Sequence, residues 1–347
     1  MNVVAASGAQ AVIAGRRRRR RRHAVSSIVL AALVLALFAV SLMVGNTFYP
    51  LEQVLAVIRG EQVAGASFTV GELRLPRAIT AVLAGAAFGI AGITFQTMLR
   101  NPLASPDIIG ITAGASAAAV LGIVAFSLSG AGVSLFALTG ALLTALAIYL
   151  LSYKGGFSGV RLILIGIGVA AMLQAVISYQ LSRAADWDIQ SAMQWLTGSL
   201  NSASWERLPP LLAVCAIVIP LMLLRQRSLS VLRLGDDSAA ALGVRVSATR
   251  LVLIIGAVAL LAFATAAAGP IAFVAFMSGP IAARITGPGA NLLVPSALVG
   301  ALLVLGADLI GQFALDGRYP VGVITGILGA PYLIYLLIRT NRSGGSL

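Results

Sequence analysis

Runs of roughly twenty apolar residues follow one another along almost the whole of this 347-residue chain, and that succession constrains its fold more than any motif does. An α-helix rises about 1.5 Å per residue, so about 20 such residues cross the ~30 Å hydrocarbon core of a bilayer. In lipid each backbone N–H and C=O must be bonded within the protein, which leaves helices as the form such runs can take. They fall near 25–45, 77–99, 107–127, 134–152, 160–182, 208–225, 249–268, 271–285, 291–313 and 321–339. Only 10% of the residues are charged, against about 25% in ordinary soluble domains. The expectation is an all-α polytopic membrane protein with about ten transmembrane helices in a single domain over residues 25–340. A basic cytoplasmic tail, 1–24, precedes it and a short cytoplasmic tail, 341–347, follows.

Charge sets the orientation. Arg16 to Arg22 form an unbroken arginine run just before the first span. A nucleic-acid arm and a secretory signal are the competing readings. The apolar run is long enough to span and no A-x-A cleavage site follows it, so the run reads as a positive-inside anchor and no nucleic acid is expected. With the amino terminus inside, the cytoplasmic side receives 18 of the 24 basic residues. Arg59, Arg74, Arg77, Arg183, Arg207 and Arg318 remain outside beside seven acids, so both termini are expected in the cytoplasm. The one cysteine, Cys215, excludes a disulfide framework and a thiolate metal site. The one histidine, His23, lies in the basic tail, so a metal cargo would cross already chelated.

Between the second and third spans stands RNPLASPD, Arg100 to Asp107. Asn101 before Pro102 is pushed out of the α region and ends a helix, and Ser105-Pro106-Asp107 is expected to cap the next one. Small residues recur every fourth position at Ala81, Gly85, Gly89, at Gly110, Gly114, Ala118, Gly122, and at Gly322, Gly326, Ala330, a spacing that lets helices approach closely in lipid. Gly269-Pro270, Gly279-Pro280 and Gly287-Pro288 break the eighth span, and Lys154 lies in a short cytoplasmic loop. Broken helices persist where protein or a watery cavity satisfies the freed backbone.

Catalytic signatures are absent: there is no phosphate-binding loop and no pair of intramembrane carboxylates. Asp308 is the one acid within a span, open to reading as a packing hydrogen bond or as part of a cargo path. Gln96 and Gln174 read as interhelical hydrogen bonders. Trp187, Trp195 and Trp205 share one external segment and suit an interfacial belt. Between spans six and seven, within 229–246, Gly235-Asp236-Asp237 followed by SAAALGV reads as a short helix with acids at its start, alanines within and Gly243 at its end.

These residues carry a resemblance. LRLPRAITAVLAGAAFGIAGITFQTMLRNPLASPDIIG (Leu73 to Gly110) resembles the hallmark of the FecCD/BtuC permeases of ABC importers. MQWLTGSLNSASW, LGDDSAAALGVRVSATR and DGRYPVGVITGILGAPYLIYLLIR agree with it, so the likeness runs over about 27–340 and points to the enterobactin-like branch. One departure is Ser278-Gly279-Pro280, where many relatives have a Pro-His pair. The resemblance implies a BtuC-like, type II importer permease with an inverted repeat in a bacterial cytoplasmic (inner) membrane. It implies a ferric-siderophore cargo, a second permease subunit (a heterodimer favoured over a homodimer), two cytoplasmic ATPase subunits and an external binding protein. The chain would itself be no enzyme and hold no cofactor and no metal. Gly235, Asp236, Asp237, Ala240, Leu242 and Gly243 would contact the ATPase, and Arg74, Arg77 and Arg318 the binding protein. Asn101 and Leu103 would form a gate, with Trp195, Thr197 and Ser199 near a short helix at the outer mouth. Haem or vitamin B12 as cargo, or a self-contained ion-coupled secondary carrier, are the alternatives.

Overall fold

The computed structural model describes residues 2–107, 109–152, 159–287 and 291–342. Lys154, Pro288 and the end of the carboxyl-terminal tail lie outside the described residues. Among them there are fourteen α-helices and no strand: α1 (Asn2–Met43), α2 (Leu51–Ile58), α3 (Leu75–Met98), α4 (Ile111–Phe126), α5 (Ala131–Ser152), α6 (Gly159–Ser182), α7 (Asp186–Leu196), α8 (Leu208–Leu224), α9 (Gln226–Leu232), α10 (Asp236–Ala241), α11 (Val246–Ala268), α12 (Val274–Thr286), α13 (Leu293–Phe313) and α14 (Val321–Arg342). A π-helical turn, Ser67–Arg74, leads into α3.

Seven of these helices, the π-turn counted with α3, are long and apolar enough to cross a bilayer, and α8 with α9 makes an eighth bent by 57°. The other two expected spans are short. At about 1.5 Å per residue, α4 with 16 residues and α12 with 13 reach only about 24 and 20 Å. Each is preceded by irregular backbone with a left-handed residue at its start, Gly110 at φ 92° and Phe273 at φ 62°. The expected cap at Ser105 is therefore corrected: α4 begins four residues after Asp107, because the positive φ at Gly110 turns the chain before helix can form. Ser105 and Asp107 bond each other instead, Ser105 Oγ donating to Asp107 Oδ2 at 3.1 Å. The arginine run lies within the amino-terminal half of α1. Arginine is a good helix former and extends a helix already nucleated by the apolar run.

The pattern of long, short, long, long recurs, in α3 to α6 and again in α11 to α14. Helix α3 is the axis of the bundle, buried over nearly its whole length against α13, α11 and α12. Glycine makes this possible. A methyl on Gly85 would meet the Gly300 carbonyl, one on Gly300 the Gly85 carbonyl, and one on Gly92 the Ala275 carbonyl, so α3 touches α13 and α12 backbone to backbone. Gly114 meets Gly140 of α5 in the same way, and Gly322 meets the Thr197 carbonyl. Gly326 faces open space.

Candidate functional site

The helices give the bundle two chemically distinct ends. At one, hereafter the basic end, Arg22 Nη2 donates to the Ile285 carbonyl (3.2 Å) and the His23 ring meets the Asn291 carbonyl (2.7 Å), which ties this part of α1 to α12 and to the segment just before α13. The α3–α4 turn, α9 and α10 lie at this same end, where Arg233 Nη2 reaches Thr97 Oγ1 (3.4 Å) and Arg100 reaches Asp236. The opposite end carries α2, α7 and the 197–207 segment. Trp205 Nε1 donates to the Gly71 carbonyl (2.9 Å), and the Ser199 amide donates to the Ala268 carbonyl (2.8 Å).

A cavity of about 600 Å³ runs between these ends. Its walls come from the two irregular segments and the helices that follow them: Leu103, Ser105 and Asp107 of the α3–α4 turn with Thr112 and Ser116 of α4, and Pro270 to Phe273 with Phe276 of α12. Gln174 of α6, Leu196 of α7 and Leu333 of α14 complete it. Backbone freed by a helix break needs such a cavity or buried partners, so the breaks and the cavity are one feature. Leu103 is placed by its own turn, where the Asn101 carboxamide oxygen accepts the Leu103 amide (2.9 Å) and Pro102 stiffens the backbone. Asp107 is the one charged side chain in the lining among the described residues. Its carboxylate accepts hydrogen bonds from the hydroxyls of Ser105 (3.1 Å) and Thr112 (3.4 Å).

Of the residues expected at the outer mouth, Trp195 and Ser199 line a second cavity of about 550 Å³ at the end opposite the basic one. Thr197 caps α7, its hydroxyl donating to the Gln194 carbonyl (2.8 Å). The three tryptophans divide their roles: Trp205 anchors a loop, Trp195 packs on the core, and Trp187 is 79% exposed. Gln96 is the interhelical bonder expected, donating to the Phe276 carbonyl (2.9 Å). Gln174 instead faces the 600 Å³ cavity, since α6 turns most of its surface outward.

The arginines expected outside are mostly engaged within the chain. Arg74 donates to the carbonyls of Leu42 (2.8 Å), Met43 (2.9 Å) and Thr47 (2.7 Å), satisfying the end of α1 and complementing its dipole. Arg77 grips Asp308 with Nε to Oδ2 (2.9 Å) and Nη2 to Oδ1 (2.7 Å), and reaches Asn201 with Nη1 (2.9 Å). Arg318 is exposed and touches Asn46 (3.2 Å). Asp308 is thus held in a packing ion pair, completed by Gln312 at 2.7 Å.

At the basic end, α10 is flanked by glycines with positive φ, Gly235 at 108° and Gly243 at 82°. Its Asp237, Ala240 and Ala241, with Leu242 and Gly243, are exposed, while Ala239 is buried. Asp236 is half exposed, and the hydrogen-bonded Arg250 guanidinium, aided by Arg100, holds its carboxyl below the usual carboxylate range. Sequence reasoning missed Asp107, Arg100 and the Phe273 region as parts of the site. The Gly269-Pro270 break was the one signal pointing toward the last. Among the described residues no group of His, Cys, Asp and Glu could hold a metal ion.

This architecture has counterparts. The ferric enterobactin transport system permease protein of Escherichia coli K12 is 41% identical over 291 residues, covering 84% of this chain and 88% of that protein. The iron(3+)-hydroxamate import system permease protein of Bacillus subtilis is 38% identical over 319 residues, covering 89% and 95%. A solved inward-facing structure of a metal-chelate type ABC transporter superposes with a TM-score of 0.78 at 27% identity, covering 91% of this chain and 99% of that one. Residues 33–339 match the model of the FecCD transport family, which takes in both irregular segments, the cavity and α10, and the chain belongs to that family.

Proposed function

We propose that this chain is the transmembrane permease subunit of an ABC importer that carries a ferric siderophore across a bacterial inner membrane. The observation that carries the reading is the cavity of about 600 Å³ between the two helix breaks, reaching from the Asn101–Leu103 turn to α7, in a chain similar to siderophore permeases over most of its length. Helices α6 and α14, which line that cavity with Gln174, Ile177 and Leu333, also expose Leu164, Ile167, Ile327 and Ile334, an apolar face that suits a second, different permease subunit that would close the path. The arginine-rich end is cytoplasmic on the positive-inside rule, with both termini inside and ten crossings, α4 and α12 completed by their irregular segments. The exposed residues of α10 then meet a cytoplasmic ATPase, which supplies the energy this chain has no means to provide. The opposite end, with Arg318, receives the loaded binding protein. Iron travels as chelated cargo.

The test is reconstitution of the chain with its second permease, ATPase and binding protein in liposomes. Radioactive ferric-siderophore uptake should require internal ATP and the binding protein. Uptake driven by an ion gradient without ATP would refute the reading, and uptake of haem or vitamin B12 alone would refute the cargo.

A further inference from the structure

One carboxylate at the basic end joins three segments of the chain. Asp236, the first residue of α10, accepts hydrogen bonds from Arg250 of α11 (Nη1 3.2 Å, Nη2 2.9 Å) and from Arg100 of the α3–α4 turn (Nη2 2.9 Å). Arg250 is buried and belongs to the body of the bundle. Arg100 does not; it holds a left-handed backbone, φ 50°, that a bulky side chain rarely adopts. It runs directly into Asn101-Pro102-Leu103. That turn is stiffened by proline and closed by the Asn101 to Leu103 hydrogen bond, so a force on Arg100 moves Leu103 with it. Leu103 lines the cavity. A second strut, Arg233 to Thr97, attaches the α9–α10 segment to the last turn of α3.

The mechanical setting of α10 makes this junction informative. The helix is a six-residue unit between two glycines of positive φ, so it can tilt as a body. We propose that Arg100 and Asp236 are positioning residues for transport, their ion pair carrying displacement of α10 to the Asn101–Leu103 turn at the cavity. This rests on the reading of α10 as the ATPase-facing element. Arg250 shares the same carboxylate and passes part of the displacement to α11, so the turn and α11 move together.

The pair is half exposed, 47% for Arg100 and 45% for Asp236, so its loss leaves the fold intact. The experiment uses the assembled transporter in liposomes with Leu103→Cys as a reporter, the native Cys215 being buried. In Leu103→Cys alone, the rate of thiol labelling should change between nucleotide-free and ATP-trapped states. Adding Arg100→Gln should leave the ATPase bound and hydrolysing ATP, abolish the nucleotide dependence of labelling and lower uptake per ATP by about tenfold, in the range of ordinary coupling energies. Arg100→Lys should restore part of both. Labelling that still follows nucleotide in the Arg100→Gln variant overturns the proposal, as does loss of the ATPase from that variant, which would make the pair a docking element. Failure of the underlying reading is seen separately: Ala240→Trp, on the exposed face of α10, would then leave ATPase capture unchanged.

Discussion

Replacing Asp308 with alanine should destabilise the bundle more than any other single loss of charge at the end opposite the basic one. The carboxylate accepts two hydrogen bonds from Arg77 and one from Gln312, and its side chain is only 8% exposed, that of Arg77 21%. Breaking a buried pair by removing one partner costs about 3–5 kcal/mol, because the other charge is left without compensation. Asn201 still bonds Arg77 and a fifth of the Arg77 side chain reaches solvent, so the lower limit applies: about 3 kcal/mol, or roughly a hundredfold in the unfolding equilibrium. The paired replacement Arg77→Met with Asp308→Leu removes both charges and should recover most of that loss, since a well-packed apolar pair replaces a buried ion pair at little or no cost. The assay is a double-mutant cycle by denaturant titration of the detergent-solubilised protein, read by tryptophan fluorescence. A loss under about 0.5 kcal/mol for Asp308→Ala, the size of an ordinary surface substitution, would refute the reasoning. So would a double variant as unstable as the two single losses added. An Asp308→Asn variant of wild-type stability that no longer transports would move Asp308 from packing to the cargo path.

Three further outcomes follow from the same geometry. Gly85→Val should cost about 1–3 kcal/mol or more by forcing α3 from α13, whereas Gly168→Ala, with nothing within 4 Å, should be neutral or stabilising by up to about 1 kcal/mol; thermal melts separate the two. Arg318→Glu should slow association of the loaded binding protein and weaken its salt dependence at unchanged membrane abundance, while Arg74→Glu should lower abundance itself, because Arg74 caps α1; surface-plasmon kinetics and quantitative blotting check the pair. Arg250 and Arg100 hold the folded Asp236 carboxyl below its unfolded value, so the unfolded state binds the extra proton as pH falls through the carboxylate range. Stability should therefore fall as pH drops through that range, and Asp236→Asn should flatten that stretch of the melting-temperature profile.

The sequence by itself determined the class of fold, because the bilayer leaves so few options. Apolar runs must become helices, and the four-residue stripes of small side chains became helix contacts at Gly85 and Gly114, though not at Gly326. Its local chemistry also located the breaks at Asn101-Pro102 and Gly269-Pro270, and the short helix near Asp236, since turn and helix signals act over a few residues. What those breaks enclose was not legible. The cavity joins Leu103 to Phe273, the Arg77–Asp308 pair joins residues 231 apart, and the Arg100–Asp236 pair joins residues 136 apart. Nothing in one helix specifies which distant helix will face it. The same limit explains why Arg74 and Arg77 read as free external charges until packing supplied their partners, and why Asp308 stayed open between two roles. It also explains the start of α4: Ser105-Pro106-Asp107 is a sound capping sequence, yet the chain must first turn through Gly110 to bring α4 beside α5 and α6. Local propensity is worth a few tenths to about one kcal/mol per residue, and the close packing of small residues across many turns outweighs it.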